Sequence, residues 1–104
     1  NMVLVNLIGL DMAEEKAAVH QKIETQLRGS LGRKLKHPEE LNLHVKKAEK
    51  DGSKHRYEAT MKFFSEYGQT TVQSEEWDLL EVVDNCLNQL NRTIRDKKEQ
   101  RTEH

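Results

Sequence analysis

The sequence predicts a two-layer α+β domain of order βαβββα, with two helices packed on one face of a four-stranded, mostly antiparallel sheet. Three observations carry this reading. Two stretches repeat apolar residues at helical spacing: Val19, Ile23, Leu27, Leu31 and Leu35 in one, and Leu79, Val83, Cys86, Leu90 and Ile94 in the other. Residues 41–46 and 57–63 alternate apolar with polar, the period of a strand with one buried face. A branched apolar run, Val3 to Ile8, ends at Gly9 and is short enough to be a strand.

Asp11 predicts the start of the first helix, with Glu14 completing an Asp-x-x-Glu capping box. Gly29 and Gly32 weaken its far end, and His37-Pro38 breaks the chain, because a residue before proline is pushed out of the helical region. Leu41, Leu43 and Val45 form the apolar side of the next strand. Asp51-Gly52 marks a turn. A three-residue loop, Lys50-Asp51-Gly52, pairs Val45 with Tyr57 and Leu43 with Ala59, and sets Lys46 opposite Arg56. Tyr67-Gly68 turns the chain again and places Val72 opposite Phe63. Ser74 is then expected to cap the second helix, with Glu75, Glu76 and Asp78 in its first turn and Leu80 and Leu87 widening its apolar face.

The 104 residues make one domain, 1–104, with Met2 reading as the native start, Asn1 as an addition and about 99–104 as a frayed tail. Hydrophobic residues are 35% and charged residues 34% of the chain, and mean hydropathy is -0.90, so the core is modest. No run approaches the length that crosses a bilayer, and the N-terminus lacks a basic region and cleavage site, so no membrane partner is expected. One cysteine, Cys86, cannot form an internal disulfide, and a reducing cytoplasm is the expected compartment. Its place on an apolar face predicts a buried thiol.

A net charge of -1 argues against a general nucleic-acid binder, but the charge is polarised. Residues 63–91 hold six acids and no Lys or Arg. Residues 28–62 hold ten bases and five acids, and residues 92–104 five bases and three acids. Two readings of these bases stand side by side. Lys46 and Arg56 belong to a solvated strand face or to an anion site. The bases ending helix 2, from Arg92 to Arg101, complement the helix dipole or meet phosphates, with Arg95 and Lys98 on one stripe with Asp84, Asn88 and Asn91. Phe64 and Tyr67 fall on or near the open face, where they could stack on bases. The histidines show no metal spacing, and there is no nucleophile–base pair or glycine-rich phosphate loop. No cofactor, metal, small-molecule substrate or enzymatic activity is expected.

The order of elements and helix 2 together resemble the ribosome hibernation-promoting factor, or ribosome-associated translation inhibitor, family in its short form. That family tends to open helix 2 with Asp-x-Tyr-x-Ala-Ile-Asp and to continue through Leu-x-Arg-Gln-Leu to a lysine-rich end. Here Asp78, Asp84, Leu90, Arg92 and Lys98 match without a gap, and the strand ending at Gly9 and the run Leu43-His44-Val45-Lys46 also fit. Leu80 stands where the motif has tyrosine, Val82-Val83 where it has Ala-Ile, and Gln89 where lysine is common. Trp77 lies outside the pattern.

The resemblance implies a fold like double-stranded-RNA-binding domains and a partner in the small ribosomal subunit, through ribosomal RNA and with ribosomal protein as a further contact. It implies occlusion of the mRNA and tRNA channel and silencing of translation under stress or in stationary phase, without catalysis. Arg92, Arg95 and Lys98 would contact ribosomal RNA, with Lys46, Arg56, Arg33, Lys34 and Lys36 extending the footprint. The competing expectation is a protein-interaction module of the same fold that no longer binds ribosomes.

Overall fold

The computed structural model describes residues 3–49, 52 and 55–102. Along the chain run β1 (Leu4–Ile8), α1 (Ala13–Arg28), the single turn α2 (Ser30–Arg33), β2 (Glu40–Glu49), β3 (His55–Ser65), β4 (Gly68–Glu76) and α3 (Leu79–Thr102). The sheet order is β1-β2-β3-β4, with β1 parallel to β2 and the other pairs antiparallel. The predicted βαβββα α+β architecture is therefore the observed one.

Alternation decides which side of the sheet the helices cover. Leu41, Leu43 and Val45 of β2 and Ala59, Met61 and Phe63 of β3 are buried with Val19 and Ile23 of α1 and Val83, Cys86, Leu90 and Ile94 of α3. The neighbours between them in sequence point to the other face, which no helix covers. Cys86 is fully buried, and burial pushes its thiol up to about 11, which keeps it inert.

The helix boundaries differ from those expected. Asp11 does not cap α1. Leu10 turns into the core, Met12 takes the extended N-cap conformation without a side-chain cap, and the helix starts at Ala13. At the far end the chain leaves the helix at Gly29 and re-enters it for one turn. Gly32 is required there, because a Cβ at this position would lie 1.8 Å from the Leu27 carbonyl oxygen. Ser74 does not cap α3 either. The ladder with β3 runs on through Glu76, so Ser74, Glu75 and Glu76 are strand residues. The cap is Asp78, whose Oδ2 accepts a hydrogen bond from the Glu81 N–H at 3.1 Å. The helix continues to Thr102, past residue 99, where fraying was expected.

The hairpin register is displaced by two residues. Val45 lies opposite Ala59 and Leu43 opposite Met61, while Val72 faces Met61 rather than Phe63. Glu49 and His55 are the last pair among the described residues on this side of the hairpin. Gly52 has the expected positive φ of 70°, and Lys50 and Asp51 lie outside the described residues. A shift of two keeps every side chain on its face, so the apolar pattern alone could not detect it. The β3–β4 turn is made by Glu66 and Tyr67 between the paired Ser65 and Gly68, and Gly68 takes a left-handed φ of 82°. Among the described residues no helix is long and apolar enough to cross a membrane.

Candidate nucleic-acid interface

The basic residues expected in the site, with the other bases of α3, fall in four places once the helix and strand faces are drawn. At the junction of α1, α2 and α3 a polar network holds Lys34 in place. Its Nζ donates to the Ser30 carbonyl oxygen at 2.9 Å and to Asn91 Oδ1 at 3.0 Å. Asn91 Nδ2 donates to Gln26 Oε1 at 2.9 Å, and the Ser30 hydroxyl donates to the same oxygen at 3.1 Å. Each partner fixes another, so the lysine head is oriented before any ligand arrives. Beside it, Asn88, Asn91, Arg92 and Arg95 complete a shallow cleft of about 330 Å³.

This junction concentrates positive charge. Burial, and then the like charges of Arg33, Arg95 and Lys98, push the Lys34 ammonium below its usual value. Arg33, Arg92, Arg95 and Lys98 are exposed. Arg95 Nε stands 3.7 Å from Asp96 Oδ1, a solvent-exposed pair that binds it weakly. The Arg92 side chain makes no hydrogen bond or ion pair among the described residues. Cations gathered in this way repel one another and gain when an anion enters.

The remaining bases of α3 serve the fold. Lys97 Nζ donates to Thr70 Oγ1 at 2.8 Å, and the Arg101 guanidinium lies 4.7 Å from the Tyr67 ring centroid. Both tie the end of the helix to the β3–β4 turn, and Tyr67 is covered by Arg101 rather than open to a base. Spacing already separates the sets, since 92, 95 and 98 advance by three and stay near one stripe, whereas 97 and 101 fall on the sheet side.

Lys36 lies just beyond α2, with its side chain exposed. Its backbone N–H donates to Glu66 Oε2 at 2.6 Å, and that of His37 to Glu66 Oε1 at 2.9 Å. Burial raises the Glu66 pKa, but these two hydrogen bonds outweigh it and hold the carboxyl below its ordinary value of 4.5. One carboxylate in the β3–β4 turn thus anchors the loop that carries Lys36.

Lys46 and Arg56 stand on the open face of the sheet, away from the α2–α3 junction. They do not face each other. Lys46 is opposite Glu58, and Arg56 is opposite Ala48, ion-paired with Glu75 and stacked 4.8 Å from the Trp77 ring centroid. The hollow there is lined by His44, Lys46, Glu58 and Glu75, so acids and bases are mixed. Phe64 is half-buried on this face between Glu40 and Gln69. Among the described residues no His, Cys, Asp and Glu group of three or more gathers to hold a metal.

Asn91 was expected on the stripe with Arg95 and Lys98, whereas Gln26 and Ser30 were not expected as members of the site. The signal was present: Gln26, Ser30 and Lys34 are spaced four apart, a polar row beside an apolar stripe. Asn91-Arg92-Thr93 also matches a glycosylation sequon, but Asn91 is half-buried and spends its amide on the network.

Residues 11–102 match the family described as sigma 54 modulation protein / S30EA ribosomal protein, and the chain belongs to that family. No curated protein matches the sequence. Among solved structures, the fold is similar to a ribosomal subunit interface protein from Coxiella burnetii, with TM-score 0.63 and 13% identity over 93% of this chain and 97% of that one. It is also similar to the Protein Y N-terminal domain of Thermus thermophilus, with TM-score 0.60 and 21% identity over 91% of this chain and 98% of that one. At these identities the two structures establish the shared fold.

Proposed function

We propose that the protein binds the small ribosomal subunit in the cytoplasm and silences translation under stress by occupying the channel for mRNA and tRNA. The observation that carries this reading is the convergence of Arg33, Lys34, Arg92, Arg95 and Lys98 on one side of a domain whose family is ribosomal. Phosphates of ribosomal RNA are the partner such a cluster suits, because release of their counterions drives the association. Shape and backbone contacts then set the fit, as is usual for structured RNA. Lys36 extends the footprint along the loop held by Glu66. Lys46 offers a second contact across the sheet, while Arg56 is occupied by Glu75 and Trp77.

Its action is steric, with no bond made or broken. The domain is a slim body with Cα extents of 54 × 24 × 18 Å, suited to a groove shaped for RNA. The acidic segment 63–91 lowers attraction to RNA at large and leaves the basic side to choose its site. Competition tests this reading: purified protein should displace mRNA and initiator tRNA from small subunits and lower the yield of cell-free translation. Simultaneous binding of all three would contradict it.

A further inference from the structure

β1 is an edge of the sheet, and the strand itself carries no charge or proline that would block its free side. Leu4 donates its backbone N–H inward to the Glu39 carbonyl oxygen at 3.1 Å, so alternation turns the backbone groups of Val5 and Leu7 outward. On the open face Leu4 and Ile8 are 58% and 50% exposed. On the helix face Leu7 lines a groove with Ala17 and Gln21, flanked by Lys16, His20, Glu24 and Arg28, where α1 leaves the strand partly uncovered. The first ten residues hold no charge and no proline, the usual guards of an edge strand.

We infer that β1 is a self-association edge, where two copies of this chain pair their β1 strands antiparallel about a two-fold axis at Asn6. The run Leu4-Val5-Asn6-Leu7-Ile8 has the same apolar pattern in both directions. Centred on Asn6, Val5 of one copy lies opposite Leu7 of the other. These are the residues whose backbone groups point outward, so each such pair exchanges both of its hydrogen bonds. The intervening positions are the closer, non-hydrogen-bonded pairs. They bring Leu4 against Ile8 of the other copy and cover the exposed apolar side chains.

Charge agrees with the same axis. It runs the two α1 helices antiparallel on one side of the joined sheet, directing the acidic first turn, Glu14 and Glu15, toward the Arg28 end of the other copy. The opposite edge is a poorer occupant. The open-face row of β4 is Gln69, Thr71, Gln73 and Glu75, with no apolar match for Leu4 and Ile8. A β1-to-β4 contact would also propagate without closing, whereas the two-fold pair closes on itself.

Light scattering of the full chain from low to high micromolar concentration tests the pairing. Wild type should rise from the monomer mass toward twice that mass, and Leu4→Lys/Ile8→Lys should remain monomeric with an unchanged circular dichroism spectrum. Asn6→Cys reads the register without depending on the lysine variant. Mild oxidation should link it into a covalent dimer, while Leu4→Cys, which faces Ile8 of the other copy, should link far more slowly. Cys86 is buried and silent in both. A monomer at every concentration, a dimer indifferent to the two lysines, or equal crosslinking at positions 4 and 6 would overturn the inference.

Discussion

Glu66 and Lys34 show how single polar side chains prepare the basic surface. Lys34 is aimed by Asn91 and Ser30, and the loop beyond it is held by the Glu66 carboxylate. A folded carboxyl below its ordinary value stabilises the native state above that value, and the contribution is lost as pH falls through the lowered one. Glu66→Gln should therefore lower the melting temperature at neutral pH. The gap from wild type should close on acidification below pH 4.5. A gap that stays constant across a pH series of melting curves would refute the role of the charge. Much at this scale was legible, including the buried thiol of Cys86 and the stripe that holds Arg95 and Lys98. The Glu66 anchor was not, because it joins a turn to a loop about thirty residues earlier, and no local pattern announces such a contact.

Among the elements, the helix breaks and strand registers reveal what a pattern can and cannot specify. Apolar period identified β2, β3 and both long helices, since burial of one face is the strongest constraint on each, while β1 was legible as a short branched apolar run and β4 from the turn before it. It left the hairpin register open by two residues, because that shift preserves faces and only the loop length settles it. Caps shifted for a related reason: Ser74 is a good cap by type, yet its strand pairing with Ala59 holds it in the sheet and Asp78 takes the position. Gly29 and Gly32 looked like simple weaknesses. In the folded chain Gly32 admits the close approach of α2 to the end of α1. Gly32→Ala should cost about 1–3 kcal/mol in denaturant unfolding, the range for forcing atoms into a packed site. A variant as stable as wild type would show that the turn gives way freely.

For the whole molecule, near-neutral composition concealed a polarised surface. Arg33, Arg92, Arg95 and Lys98 are exposed around the place where α2 meets α3, while Lys97 and Arg101 are spent on holding α3 to the sheet. Binding through phosphates should therefore weaken steeply as salt rises, and it should depend on Arg92, Arg95 and Lys98 more than on Lys97 or Arg101. The most direct test is co-sedimentation with purified small ribosomal subunits at several salt concentrations, comparing wild type with Arg92→Glu/Arg95→Glu/Lys98→Glu. Wild type should sediment with the subunits at low salt and be released as salt rises, while the variant should stay in the supernatant. A wild-type protein that never sediments with the subunits would contradict the ribosomal reading, and equal binding by the variant would contradict the assignment of the interface.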